Sequence, residues 1–585
     1  MAIQDDAAIN PQRPQCAGDE LPEAIREAAT RERSLRAAHP RLHTWWAARP
    51  HTLSRVFVYL ALTENDTPDP SFLTQLAAVT PKPAIVNQAV LHLRDAQWRR
   101  ALASARETTR PEDTQDCPAG PEARLRVLDP FAGSGAIAAE ASRLGCEVWA
   151  GDLCPVSYHI LRAALHFPAR LLDPDTTGSM TSPSNRWRGL KTELSTWARS
   201  TNEVASRRLS HLFPSSEVGG PSRAVSRLWF RFERCPNCGT YTPSRPHQKL
   251  NRRTDTENSI GWEWRDNDWR PVLQFTKETS LRQLRAVCPN CGGVIDETTT
   301  GSPGAMGQTQ YRLAGTVIGR NQEAVICLAQ PGKEDELAPW SAADQTRLAD
   351  LLSRDVARAL WCPLSEPTYT AAIRRGITTF KDLFGPRQLL AGLEYSDAIC
   401  ETENEMRAAG RRPDEVEAII TYLSFLLGHL VSRNSLLTAW DPNRGAPKGA
   451  FALHAAHMPA MCVETTLPSM FEEWHRTVMG VIESNGALPG VADIHLGDAA
   501  NLPYQDGFFD AVLTDPPYFD NVDYSGLQDF FWTWESGVLE RIAPNSRGLP
   551  QTSETVDNIA AVHRKIGCST TGQVLKLLST KCTGF

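Results

Sequence analysis

Asp515-Pro-Pro-Tyr518 holds the residue types that point most directly to chemistry, and it follows the apolar stretch Phe508–Thr514. Pro516 and Pro517 fix φ and remove two N–H donors, so the chain is held open there with its carbonyls free to accept. An exocyclic amine on an aromatic base is a poor nucleophile, because its lone pair is delocalised. Asp515 and the carbonyl of Pro516 can each accept one of its N–H bonds and turn the lone pair toward an electrophile. Tyr518 would stack on a base taken out of its helix. With a sulfonium methyl as electrophile, alignment and electrostatics supply most of the rate. Asp515 need not be a strong base, since the proton becomes acidic only after transfer.

A second constellation lies far upstream. Leu125-Arg-Val-Leu-Asp129 reads as a short buried strand, Pro130-Phe-Ala-Gly-Ser-Gly135 as a turn, Ala136–Leu144 as a helix, and Cys146–Asp152 as a strand ending in an acid. This is the opening of a doubly wound α/β sheet. The spacing fits neither a dinucleotide G-x-G-x-x-G nor a P-loop. Asp129, Phe131, Gly133 and Gly135 form the candidate cofactor turn, with the glycines letting backbone pass close to a ligand. Asp152 stands where ribose hydroxyls are held. Asp498, after the strand predicted at Val491–Asp498, can accept from an adenine amino group. An acid at the ribose position suits NAD as well as S-adenosylmethionine, and the Asp515–Tyr518 strand end favours the latter.

Cys235-Pro-Asn-Cys238-Gly and Cys288-Pro-Asn-Cys291-Gly repeat one knuckle sequence. Four thiolates on two such turns suit a closed, structural four-cysteine zinc site. The 49 residues between Cys238 and Cys288 must then fold out as an insertion. Ten further cysteines are scattered, which suits reduced thiols better than a disulfide framework. Net charge is −7, but Arg223–Arg285 carries 13 Lys/Arg against 7 Asp/Glu, a stretch that could meet phosphates or simply form a solvated surface. Trp262, Trp264 and Trp269 lie in the same stretch. They suit DNA contact or a small aromatic core around the metal, and the sequence leaves both open.

Other elements must position these residues. Helices are expected at Leu21–Ala37, Leu53–Leu62 and Met470–Glu483, and mostly helical chain at Leu351–Ala439. His43, Trp45, Trp46 and Arg49 cluster between the first two helices. They either pack on a helix or close over the methionine end of a cofactor. Arg387 and Gln388 read as surface or helix-cap residues. No apolar run approaches the roughly 20 residues that span a bilayer, and Met1–Pro14 has no signal-peptide core. The expectation is a cytoplasmic protein with no membrane partner.

The motifs of Asp129–Gly135 and Asp515–Tyr518 resemble those of amino-group DNA methyltransferases, with the long insertion placed as in the α arrangement. A closer resemblance is to bacterial DNA methylases with an N-terminal domain of unknown function, number 1156. It is carried by Leu21–Ser34, Leu42–Pro50, Thr379–Leu390, Arg433–Ser435, Trp440–Pro442, Asp515–Tyr524 and Asp529–Phe531. The resemblance implies S-adenosylmethionine, DNA as substrate, adenine N6 ahead of cytosine N4, and a role in DNA modification or phage defence beside other proteins of such systems. The expected fold class is α/β: a Rossmann-like methyltransferase sheet interrupted by a long insertion with a four-cysteine zinc module and helical segments. The expected parts are an N-terminal helical domain at 1–106, the two methyltransferase halves at 122–175 and 441–550, a zinc module at 225–300, a mostly helical insertion at 301–440 and an atypical tail at 551–585. The tail shows little strand character, so the sheet reads as incomplete toward the C-terminus. A truncated, inactive zinc-containing remnant that binds DNA or cofactor therefore competes with the active enzyme, as does an RNA base methyltransferase.

Overall fold

The computed structural model describes residues 20–34, 42–45, 49–63, 69–108, 124–172, 188–213, 225–245, 247–250, 257–276, 286–295, 309–318, 325–328, 340–451, 456–465, 467–486, 488, 492–516 and 523–543. The tail at 551–585 lies outside them. The chain divides into two compact units, one drawn from Met1–Leu172 with Gly480–Pro517, the other from Asp173–Met479 with Tyr518–Cys568. The 1–106 stretch thus shares a unit with the glycine turn. Residues 441–479 group with the insertion, apart from the 480–517 stretch expected to accompany them.

The first unit holds a four-stranded parallel sheet. Its strands run in the order Asp493–Leu496, β2 (Glu147–Asp152), β1 (Arg126–Asp129), Ala511–Val512. Val127 pairs with Ala511 and Val148, and Asp493 with Trp149. Val127 and Leu128 are buried, as a strand covered on both faces requires. The strand expected across Phe508–Thr514 shrinks to Ala511–Val512. Phe508 and Phe509 instead turn their rings edge-on to Trp149, at 5.1 and 5.4 Å.

Among the described residues, four helices precede the sheet: α1 (Glu20–Ser34), α2 (His51–Thr63), α3 (Pro70–Leu76) and α4 (Pro83–Thr108). The glycine turn leads into α5 (Ala136–Arg143), whose alanines let α2 pack closely on it. Charge fixes this packing. Arg55 Nε donates to Glu140 Oε2 at 2.6 Å, and its Nη1 to the carbonyls of Leu76 and Ala78. His51 Nδ1 lies 2.9 Å from Glu140 Oε1, and Arg143 is 3.3 Å from Glu140 Oε2. Both Arg55 and Glu140 are fully buried. Burial pushes the Glu140 carboxyl up, but Arg55, His51 and Arg143 outweigh it and hold the group well below its ordinary range. Glu32 of α1 accepts from the backbone N–H groups of His51 and Thr52, tying α1 to the start of α2.

The second unit is built on an antiparallel sheet ordered Val325–Leu328, Thr309–Ile318, Val225–Arg234, Met461–Thr465, Ala439–Asp441, Ala446–Lys448. The 301–440 stretch therefore opens with strands before turning helical. A three-stranded meander, His247–Lys249, Glu257–Arg265 and Asp268–Thr276, fills the long gap between the cysteine pairs. Asp266 and Asn267, both at positive φ, make its tight turn. Among the described residues, one helix, Pro413–Ser432, is long and apolar enough to cross a membrane by length and composition, which corrects the expectation that no run approaches that length. Its apolar window is 89% buried inside the protein, against neighbours that include Tyr524–Ile542 and Pro386–Ala408. Arg387 is buried rather than superficial, shared with Arg227 on the single carboxylate of Glu464. Gln388 is a helix cap, its Oε1 accepting from Gly385 N–H.

Removing Arg55 takes from the buried Glu140 carboxylate its only fully buried cationic partner, leaving His51 and Arg143 to offset its charge. Arg55→Met is expected to cost about 3–5 kcal/mol in chemical denaturation. Because the folded carboxyl titrates below its ordinary 4.5, its contribution is present above that pH and lost on acidification. Glu140→Gln is thus expected to flatten the acid limb of the stability profile.

Candidate active site and metal centre

The carboxyl ends of all four parallel strands carry the predicted acids, and each is engaged differently. Asp129, at the end of β1, is 2% exposed. Its Oδ1 accepts from Thr514 Oγ1 at 2.7 Å and from Phe131 N–H at 3.3 Å. Burial drives its pKa to about 7, against the two hydrogen bonds and with help from the charges of Asp152 and Asp515. Asp152, at the end of β2, accepts from Gly133 N–H and Cys154 N–H, both at 2.9 Å, and burial raises its pKa too. Asp498 accepts from Ala500 N–H and Asn501 Nδ2. Asp515 accepts from Arg49, through Nε on Oδ2 and through Nη2 on Oδ1 at 3.0 Å. Pro516 is half-buried beside it. Pro517, Tyr518 and Trp46 lie outside the described residues.

Gly133 and Gly135 sit at φ +54° and +81°, a region where a side chain is strained. Protein side chains use the room they leave. A Cβ on Gly133 would stand 2.7 Å from the Trp45 indole nitrogen, and one on Gly135 would stand 2.8 Å from Leu161. Ser157 Oγ donates to the Gly133 carbonyl at 2.7 Å and steadies the turn. The aromatic-basic cluster ahead of α2 therefore reaches the strand ends: Trp45 lies on the glycine turn and Arg49 on Asp515. Sequence reasoning gives that cluster two readings, packing on a helix or closing over a cofactor, without naming Gly133 or Asp515 as its contacts, and it assigns Thr514 no role. A tryptophan and an arginine just before Pro50 are the only signal, and it is a weak one.

In the second unit, Val225–Arg234 runs directly into Cys235, and the short strands Ala286–Val287 and Val294–Ile295 frame Cys288 and Cys291. The two knuckles are built alike. Gly239 N–H donates to the Cys235 carbonyl and Gly292 N–H to that of Cys288, each at 2.9 Å. Cys235 Sγ is 3.6 Å from Cys291 Sγ, Cys238 Sγ is 3.4 Å from Cys288 Sγ, and all four sulfurs lie within 4.8 Å of one another. Zinc–thiolate bonds of about 2.3 Å in a tetrahedron put sulfurs about 3.8 Å apart, so the cluster is consistent with a structural zinc site. Cys235 and Cys288 are buried while Cys238 and Cys291 are exposed.

The aromatics nearby belong to a different core. Trp262 packs edge-on against Phe230 and Phe232 within a buried cluster that includes Leu228, Ile260 and Val463. Trp269 donates its indole N–H to the Tyr241 carbonyl. Two arginines of the hairpin face acids, Arg265 pairing with Glu263 and Arg270 with Asp266, and Arg312 of the neighbouring strand Thr309–Ile318 pairs with Asp268. The two described arginines of the hairpin are thus paired with acids of the same hairpin.

Residues 21–78 match the model of a family described as a protein of unknown function, DUF1156. No curated protein and no solved structure matches the chain. The matched span runs from α1 to just past α3 and includes Trp45, Arg49, His51 and Arg55. The chain thus carries a DUF1156 domain, and the residues of that domain weld to Glu140 and touch Gly133 and Asp515.

Elemental analysis is expected to find one zinc per chain, and Cys288→Ala is expected to lose it. A preparation with full thiol titre and no bound metal would contradict this. The raised pKa of Asp129 carries its own signature. A carboxyl titrating near 7 when folded and near 3.8 when unfolded favours the fold at low pH. That contribution is full below about 3.8 and is lost as pH rises through 7. Asp129→Asn is expected to remove that part of the pH dependence of unfolding.

Proposed function

We propose that this protein is an S-adenosylmethionine-dependent methyltransferase acting on an exocyclic amino group of a DNA base, adenine N6 ahead of cytosine N4, in DNA modification or phage defence. The observation that carries the reading is the acid at the carboxyl end of every strand of the parallel sheet, with Asp515-Pro516 ending the strand beside β1. In open α/β sheets of the Rossmann kind, ligands bind in the crevice at the carboxyl ends, where strand order reverses. Here β1 is followed by β2 on one side, and Ala511–Val512 lies on the other.

The donor set fits the cofactor. Asp152 and Asp498 would hold ribose hydroxyls and an adenine amino group, each carboxylate having lone pairs left beyond its backbone contacts. Phe131, Gly133 and Gly135 would form the turn beneath it, and Asp129 would lie close to its positive charge. When bound, S-adenosylmethionine supplies an electrophilic methyl group. Asp515 accepts one N–H of the base and the Pro516 carbonyl the other, which turns the amine lone pair toward that methyl. Once the methyl group is transferred, Asp515 would take the surplus proton of the amine and pass it to water. Tyr518 would hold the base by stacking.

The test is transfer of labelled methyl groups to unmethylated DNA and to RNA, with Asp515→Ala as control. Transfer to DNA that falls at least ~100-fold in Asp515→Ala is expected, the scale of losing a positioned acceptor. Transfer to RNA alone would move the substrate class. Cofactor binding without transfer to either would identify an inactive remnant.

A further inference from the structure

Arg49 and Arg55 stand six residues apart in the same domain, and each meets a carboxylate. Their surroundings differ. Arg55 and Glu140 are fully buried, so separating them is costly. The side chains of Arg49 and Asp515 remain 35% and 32% exposed, so water or another donor can replace either partner at little cost. The first pair is a permanent joint, and the second is exchangeable.

The geometry of the exchangeable pair matters for chemistry. Nε and Nη2 of the guanidinium address both oxygens of Asp515 edge-on, the arrangement in which a carboxylate accepts most strongly. An amino group presenting an N–H to Asp515 needs those same directions. Trp45, four residues earlier, covers Gly133 on the turn at the end of β1. One short stretch thus touches both the glycine turn and the amine acceptor.

Resting on the methyl-transfer reading above, we propose that Arg49 is a displaceable counter-ion of Asp515. It occupies the acceptor edge of the carboxylate in the free protein and yields it to the amino group of the incoming base. Arg49 is then a positioning residue that sets how readily an amine gains the site. Amines that offer two N–H donors replace the bidentate guanidinium best, because they satisfy Asp515 and the Pro516 carbonyl together.

The experiment compares methyl transfer to unmethylated duplex DNA by wild type, Arg49→Met and Arg49→Lys. Loss of the competitor is expected to lower KM for DNA about two- to fivefold in Arg49→Met, the scale of an exposed ion pair. The change in kcat is expected to be smaller, and Arg49→Lys, with a single-point donor, should fall between. A raised KM, or kcat and thermal stability falling together with KM unchanged, would overturn the proposal and leave the methyltransferase reading standing. If wild type transfers no methyl group, that reading fails, and the counter-ion is tested without turnover. A double-mutant cycle of Arg49→Met with Asp515→Asn is then read by thermal unfolding at low salt and at about 1 M sodium chloride. Coupling that vanishes in high salt supports an exchangeable pair, whereas coupling that persists undiminished overturns it.

Discussion

The buried carboxylate of Glu140 is the constraint on which the first unit depends. It sits on α5, directly after the glycine turn, and it can be buried only because Arg55, His51 and Arg143 surround it. Two of those three partners come from α2, inside the DUF1156 domain. The domain is therefore no appendage: the helix that follows the candidate cofactor turn cannot bury its charge without it. The same anchoring fixes where α2 begins, and that sets Trp45 and Arg49 beside Gly133 and Asp515. A stability element and a site element are consecutive in the chain for this reason.

The second unit meets the same problem with different means. Its antiparallel sheet buries Glu464 between Arg227 and Arg387, and its knuckle cysteines sit where a long strand ends. The aromatic core of Trp262, Phe230 and Phe232 lies under the meander that bridges the cysteine pairs. That core, with the acid partners of the hairpin arginines, makes the hairpin a packed, charge-balanced support. On the hairpin itself, Arg265 and Arg270 each have a carboxylate neighbour.

Several residues named in the family resemblance have local structural duties. Thr379 caps a short helix together with Asp382. Asn434 accepts from Thr465 N–H, and Trp440 donates to the Leu250 carbonyl. Such contacts account for those residues through folding alone. The acids at the strand ends differ, because two of them are held at raised pKa by burial where a surface carboxylate would cost nothing.

What the sequence by itself determined is what depends on neighbours in the chain. Two copies of Cys-Pro-Asn-Cys-Gly define two identical turns, because the cysteines and the left-handed glycine that close each turn lie within five residues. Alternation of apolar strand, turn and helix placed Asp129, Asp152 and Asp498 at strand ends for the same reason. Only the tertiary structure decided the pairs that span the chain. Arg49 meets Asp515 across 466 positions and Arg55 meets Glu140 across 85, and no local pattern encodes either. It also decided the use of Gly133, whose missing side chain admits Trp45, and the burial of Arg387, which composition marks as surface. Sidedness and charge partnership arise when distant segments exclude water together, and a linear pattern carries no record of which segments those are.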